Sequence, residues 1–257
     1  MAALNILITG ASRGLGAALA REFSAPGAHL CLLARDGVAL ARVAQDCTAR
    51  DATVATATCD VRDAPRLASI LAEWEAAHPF TLVIANAGVT GGTRPDGGLE
   101  GWASAERVLG VNLMGAIHTV EPLLPGMVAR RAGRVVLIGS VAGFQGLPDS
   151  PAYSASKAGL WAYGEALRAR LSPLGVGVTC VAPGFFASEM SDRFQGAHPG
   201  KLPLEAMAAR IARAIRRGRG RAIIPAPLGW LLRLLALLPA PLNDRAARVL
   251  RFTIRAE

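Results

Sequence analysis

A tyrosine and a lysine stand four positions apart in PAYSASKAGL, residues 151–160. The pair is conspicuous because the chain holds only two tyrosines, Tyr153 and Tyr163, and only two lysines, Lys157 and Lys201, against 26 arginines. On a helix, residues four apart share a face one turn apart. A phenol with an ordinary pKa near ~10 is a poor proton carrier at neutral pH. An ammonium one turn away stabilises the phenolate, and lowering the pKa by about 3 units corresponds to roughly 4 kcal/mol. Lysine supplies a compact point charge on a flexible stem, which the planar arginine fork does not replace on equal terms. The pattern points to proton transfer, although alone it also describes an ordinary surface pair.

A second set of residues suits a dinucleotide phosphate. In TGASRGLG, residues 9–16, glycines at 10, 14 and 16 flank Ser12, Arg13 and Leu15. Such glycines allow a tight turn, and the helix that follows offers free N–H groups and a positive dipole end. The spacing is G-x-x-x-G-x-G, and an ordinary strand-to-helix turn reads the same way. LLARD, residues 32–36, ends the second apolar run. At that place in dinucleotide folds an acid grips the adenosine ribose, whereas arginine accommodates a 2′-phosphate. Arg35 and Arg13 together favour NADP over NAD; Asp36 either competes for the ribose or opens the next helix. Asp60, followed by Val61 in CDVRD, is placed to accept from an adenine amino group or to cap a helix, a role for which Asp63 competes. Asn86, Ala87 and Gly88 are small residues where the backbone must pass close to a cofactor.

The elements that must position these groups alternate. Short apolar or β-branched runs at 4–9, 28–34, 52–59, 80–85, 133–139 and 176–182 predict strands, and RAIIP suits a last one. Several are apolar throughout, as in parallel strands covered on both faces. Stretches of helical period lie between them at 15–24, 38–50, 63–77, 102–131 and 152–172. The order predicts an α/β fold, a single Rossmann-like doubly wound parallel sheet with helices on both faces. No linker divides residues 1 to about 224, the expected dinucleotide-binding and catalytic domain; 225–257 read as an apolar helical extension packed on it. Ligands of such sheets bind beyond the carboxyl ends of the strands, where each motif falls.

The ordered set TGASRGLG, Asp60, Asn86-Ala87-Gly88, Asn112 in GVNLMGA, Ser140 in IGSVAG, Tyr153-x-x-x-Lys157 and Pro183-Gly184 resembles the compact, single-domain short-chain dehydrogenase/reductase family. The resemblance covers residues 4 to about 190. It implies a hydride passed between a nicotinamide and a carbonyl or secondary alcohol. Tyr153 would then be general acid or base, Ser140 would hold the substrate oxygen, and Lys157 would tune Tyr153 and anchor the nicotinamide ribose. Asn112 would position a water leading from Lys157 to solvent. Pro183, Gly184 and Phe186 would form the nicotinamide-contacting turn, and Ser188 stands where a threonine is more usual. Residues 144–151 would line one substrate wall and 185–205 a lid. Gln145, Phe185, Phe186 and Met190 are the expected substrate contacts, which suggests a carbonyl on a partly apolar molecule. Helices 102–131 and 152–172 resemble the seam of the family's dimers and tetramers. A non-catalytic NAD(P)-binding sensor or scaffold is the alternative, disfavoured by the intact Tyr-Lys-Ser-Asn set.

Composition bounds the rest. With 257 residues, 52% hydrophobic and 18% charged, the chain is long and apolar enough for a sizeable core. The four cysteines are scattered without metal-ligand spacing, so neither disulfides nor a metal are expected, and a cytoplasmic setting is the default. The N-terminus reads as a first strand rather than a signal peptide. The net charge of +9 lies entirely after residue 200, where 12 basic residues face three acidic ones. That tail carries no nucleic-acid motif, and nucleic acid is not an expected partner. The apolar segment 228–238 is too short to span a bilayer, which takes about 20 residues. It reads as a cover for the substrate pocket, an oligomer contact, or an interfacial helix on the inner face of an anionic membrane.

Overall fold

The computed structural model describes residues 4–93, 98–192, 194–195, 200–249 and 253–254. Seven parallel strands form one sheet: β1 (Leu4–Thr9), β2 (Ala28–Ala34), β3 (Thr53–Thr58), β4 (Leu82–Ala85), β5 (Arg134–Ile138), β6 (Gly177–Pro183) and, after a two-residue strand β7 (Phe194–Gln195), β8 (Arg221–Ile224). Their order is β3-β2-β1-β4-β5-β6-β8, and β7 pairs antiparallel with β9 (Thr253–Ile254). The chain winds outward from β1 to β3, then restarts on the other side of β1 with β4. That reversal opens a crevice at the carboxyl ends of β1 and β4.

The continuous apolar runs are explained by the two covered faces. Along β1, Ile6 and Ile8 enter one core cluster and Leu7 the other; along β2, Leu30 and Leu32 oppose Cys31 and Leu33. One face is covered by α1 (Gly14–Phe23), α2 (Gly37–Thr48) and, later in the chain, a helix at Leu204–Arg216. The other is covered by α3 (Ala64–Ala77), the helical run that begins with α4 (Trp102–Leu109), and a 21-residue helix at Pro151–Leu171. Asp36 caps α2 by accepting from the Ala39 N–H at 2.9 Å, and Asp63 caps α3 from the Arg66 N–H at 3.1 Å.

The run expected as one helix over 102–131 is helical but not uniform. After α4 comes a π-turn, Gly110–Met114, then α5 (Gly115–Val120), a 3₁₀ turn at Glu121–Leu123 and α6 (Leu124–Arg130). Pro122 and Pro125 lack the N–H groups a regular ladder requires, which accounts for the tight turn between α5 and α6. The π-turn adds a residue to its turn, with the Gly115 N–H bonded to the Gly110 carbonyl, and buries Asn112 completely. The remaining helices are α7 (Pro151–Leu171), α8 (Glu189–Asp192), α9 (Leu204–Arg216), α10 (Ala226–Leu235) and α11 (Ala240–Val249). No described helix is long and apolar enough to cross a membrane.

α7 closes on the sheet through Gly164, where a Cβ would stand 2.5 Å from Cys180 Sγ and 2.8 Å from a Leu137 methyl. Gly164→Val is therefore expected to destabilise the fold by about 1–3 kcal/mol through overpacking, read as a lower urea midpoint.

Candidate active site

The crevice at the β1/β4 reversal is a cavity of about 690 Å³. Its floor is set by a clamp between the two strand ends. Thr9 Oγ1 accepts from the N–H groups of Asn86 (3.1 Å) and Ala87 (3.2 Å), while Asn86 Nδ2 donates to the Thr9 carbonyl (3.0 Å) and the Gly10 carbonyl (3.2 Å). Gly10 and Gly14 adopt φ of +66° and +53°, the left-handed region that favours glycine. A Cβ on Gly10 would stand 2.8 Å from Ala87 Cα, and one on Gly16 would collide with the Gly10 carbonyl. The Asn86 amide thus holds the turn from behind. Gly10, Ser12, Arg13, Gly14, Leu15 and Gly16 all line the cavity, as do Asn86, Ala87 and Gly88.

At the far corner of the same cavity lie Arg35, Asp36, Asp60 and Val61. The Asp36 carboxylate is engaged by its helix cap. Asp60 is gripped by Arg62, whose Nη2 lies 2.7 Å away and whose backbone N–H lies 3.0 Å away. Those bonds hold the Asp60 carboxyl below its ordinary range, the Arg62 side chain being the main cause. Arg35 stands at 4.0 Å from Asp60, and Arg13 reaches across the opening to Glu189 at 2.8 Å. Both arginine side chains are more than half exposed.

The other wall carries the tyrosine and lysine. Tyr153 and Lys157 sit on the first turns of α7, which starts with Pro151, a residue pre-set for a first helical turn. Tyr153 is hydrogen-bonded to Ser140, which follows β5 and whose Oγ also accepts from the Ala142 N–H at 3.1 Å. Lys157 is 5% exposed and donates to the Ile138 carbonyl at 3.0 Å, with its Nζ 5.7 Å from the Tyr153 ring centroid. Asn112 lies behind this wall rather than on it. Its Oδ1 accepts from the Val89 N–H (2.8 Å), and its Nδ2 donates to the Val89 carbonyl and to Ser156 Oγ, each at 3.0 Å. A Cβ on Gly88 would come within 3.4 Å of Asn112 Oδ1 and 3.6 Å of Lys157 Nζ, so glycine there leaves the two groups a shared approach.

Pro183, Gly184, Phe185, Phe186, Ser188 and Met190 also line the cavity. Ser188 Oγ accepts from the Ser191 N–H at 3.1 Å, leaving its own hydrogen to donate. Gln145 is a correction: it is buried away from the cavity, donating to Asn243 Oδ1 at 2.7 Å, and Leu147 takes its place on the wall. Of the segment read as a lid, residues 193 and 196–199 lie outside the described residues, as does His198. Leu228 and Leu232 of α10 line the cavity's apolar end, within the 228–238 segment expected among its readings to cover the substrate pocket. Sequence reading missed Thr90, two residues past Gly88, which also lines the cavity.

The residues present fit a dinucleotide. The cavity has the size of a ligand site. The open side of Gly14 has nothing within 4 Å of a Cβ position. Two hydroxyls on the wall, Thr90 Oγ1 and Ser191 Oγ, are buried without a hydrogen-bond partner among the described residues. Polar atoms so placed call for a partner.

Burial dominates the electrostatics of the pair; the expected lowering of the phenol draws on the ammonium and a positively charged nicotinamide together. Burial pushes the Tyr153 phenol above its ordinary 10, and only the Ser140 bond pulls it back. Burial also brings the Lys157 ammonium down from 10.5 to about 8. A lysine whose folded pKa lies below its unfolded value costs stability while charged, and the cost disappears as pH rises from about 8 to 10.5. Lys157→Met is therefore expected to stabilise the cofactor-free protein at pH 7, by about 3 kcal/mol. The gap to wild type should close between pH 8 and 10.5 in urea titrations, and a gap that stays constant would count against a buried charge.

The comparisons with known proteins agree with this geometry. The family model for short chain dehydrogenase matches residues 4–198. An uncharacterized oxidoreductase of Myxococcus xanthus is 36% identical over 249 residues, covering 95% of this chain and 96% of the relative. A short-chain dehydrogenase from Sphingobium yanoikuyae, solved in complex with NADPH, superposes with a TM-score of 0.79 at 26% identity over 87% of this chain and 88% of that one. A 3-oxoacyl-[acyl-carrier protein] reductase from Brucella melitensis, solved with bound NAD, gives 0.71 at 26% over 86% and 88%. The matched span holds the glycine turn, Ser140, Tyr153 and Lys157 together, and the chain belongs to the short-chain dehydrogenase/reductase family of NAD(P)-dependent oxidoreductases.

Proposed function

We propose that the protein is an NADP-dependent oxidoreductase acting on the carbonyl or secondary alcohol of a partly apolar substrate. The observation that carries this is the Tyr153–Ser140 hydrogen bond beside buried Lys157, in the same cavity as the glycine turn. NADP, when bound along Gly10–Gly16, Arg35 and Gly88, supplies or accepts the hydride. Tyr153 donates its phenol proton to the carbonyl oxygen in reduction and takes one back in oxidation. Ser140 donates a hydrogen bond to the same oxygen, steadying the charge that develops there. The ammonium of Lys157 favours the phenolate left behind and holds the nicotinamide ribose. Asn112 steadies Gly88 and Val89 from behind and lines the route by which Lys157 regains a proton through water.

Two features support NADP over NAD. Asp36, the acid that would otherwise grip ribose hydroxyls, is engaged by the α2 cap, while Arg35 presents its guanidinium to that corner and Arg13, paired with Glu189, lines the same cavity. The Sphingobium relative holds NADPH, the Brucella one NAD. The same reading includes a homodimer or homotetramer seamed by α4–α6 and α7, and a peripheral membrane contact through 228–238. The cavity's Leu147, Phe185, Phe186, Met190, Leu228 and Leu232 support an apolar substrate arm.

Fluorescence titration with NADPH beside NADH tests the cofactor. Tighter NADPH binding is expected, lost by tenfold or more in Arg35→Ala while NADH binding barely changes; equal binding of both by wild type would overturn the preference. Tyr153→Phe should lower kcat by about 10²–10⁴-fold with NADPH affinity retained.

A further inference from the structure

α10 has two apolar faces. Leu228 and Leu232 point into the cavity, and Gly229 lets the helix close on β8, where a Cβ would collide with Ile223. Arg233 pins it from the side: its guanidinium lies 4.1 Å from the Phe144 ring centroid and 4.9 Å from that of Trp161. With the helix fixed in this rotation, Trp230, Leu231 and Leu234 face outward, followed by Leu237, Leu238 and Leu242. These six make up most of the eleven exposed large apolar side chains among the described residues, gathered in one 13-residue stretch. Leu234 is 62% and Leu237 81% exposed. An apolar patch of this concentration marks an interaction surface.

The surrounding charge selects the occupant. Arg217, Arg219 and Arg221 are exposed where the chain enters β8, Arg233 lies close enough to Arg221 to feel its charge, and Arg245 is exposed on α11. Asp244 is the acid on the same stretch, and Glu165 is engaged by Arg168 and Arg221. A twofold contact would bring this basic patch against itself, which like charges oppose. An anionic lipid surface meets both the leucines and the arginines.

We infer that the outer face of α10 rests on an anionic bilayer, and that the inner face, through Leu228 and Leu232, receives an apolar carbonyl compound dissolved in that bilayer. This rests on the oxidoreductase reading and names its substrate class. The helix is ten residues long and lies in the interface rather than across it.

The test uses the full chain loaded with NADPH and sedimented with vesicles of phosphatidylcholine, with and without phosphatidylglycerol. Binding is expected to the anionic vesicles and to fall as salt rises. Bromine-labelled acyl chains should quench tryptophan fluorescence, and Trp230→Phe should abolish most of that quenching. The double variant Leu234→Glu/Leu237→Glu should lose tenfold or more of the partition while binding NADPH as wild type does. No binding at low salt, equal binding to neutral vesicles, or unchanged partition of the double variant would overturn the membrane contact. A change in mass by light scattering, without vesicle binding, would assign the face to a second copy. NADPH consumption is then followed with a long-chain 2-alkanone in the vesicles and with 2-butanone in water. Turnover of the long-chain ketone by wild type, with an apparent KM raised several-fold in the double variant and unchanged turnover of 2-butanone, is the expected result. Turnover of 2-butanone alone overturns the substrate class. Turnover of neither counts against carbonyl reduction itself, while the sedimentation result still decides the membrane contact.

Discussion

Four hydrogen bonds between the ends of β1 and β4 hold the rest of this site in place. They join strands that are neighbours in the sheet but far apart in the chain, at the point where the winding changes direction. Thr9 and Asn86 meet their hydrogen-bonding needs through each other and the Gly10 carbonyl, and the Ala11 N–H is taken by the Leu33 carbonyl at 3.2 Å, so the turn is tied to β1, β2 and β4 at once. Glycine at 10 and 16 follows from the same closeness, since a Cβ on Gly10 would meet Ala87 and one on Gly16 the Gly10 carbonyl. The binding cradle is therefore a by-product of how two parallel strands are stitched, not a separate loop laid over them.

The opposite wall rests on a cost. A lysine buried to this degree loses hydration that a single carbonyl does not replace, and that loss brings its pKa down to about 8. α7 carries both Lys157 and Tyr153, so the packing of one long helix on β5 and β6 holds the charge and the phenol at a fixed separation. Rigid burial raises the phenol, which stays un-ionised until further positive charge arrives. In such an arrangement the protein supplies geometry, and the bound nucleotide completes the electrostatics.

Much of this was legible in the residues. Strand positions followed from apolar runs bounded by glycine, proline or aspartate, because a parallel strand buried on both faces leaves little room for anything else. The glycine turn and Ser140 were legible because each follows a strand, and Tyr153 and Lys157 because a scarce tyrosine and a scarce lysine stand one helical turn apart. What escaped depended on contacts between distant segments. The π-turn at Gly110–Met114 looks like regular helix, since its apolar residues fit either geometry. Gln145 turned away because Asn243, nearly a hundred residues later, offered its amide a partner. Asp36 read as a ribose ligand or a helix opener and Asp60 as an adenine acceptor or a helix cap, and only the Ala39 N–H and the Arg62 fork show how each carboxylate is engaged. A cover over the pocket was legible as one reading of the segment 228–238, but its helix is apolar on both faces, so the pattern did not single out Leu228 and Leu232 as the inner one.

The scarcity of lysine has a practical side. Lys201 is paired with Asp192 near the surface, whereas Lys157 is buried in the active-site wall, with 5% of its surface exposed. Apart from the chain terminus, these are the only primary amines in the molecule. A reagent that acylates amines therefore meets one handle it can reach at once and one it reaches only when the crevice breathes. The ratio of the two modification rates is a built-in gauge of how often the wall opens, and no label has to be engineered to read it.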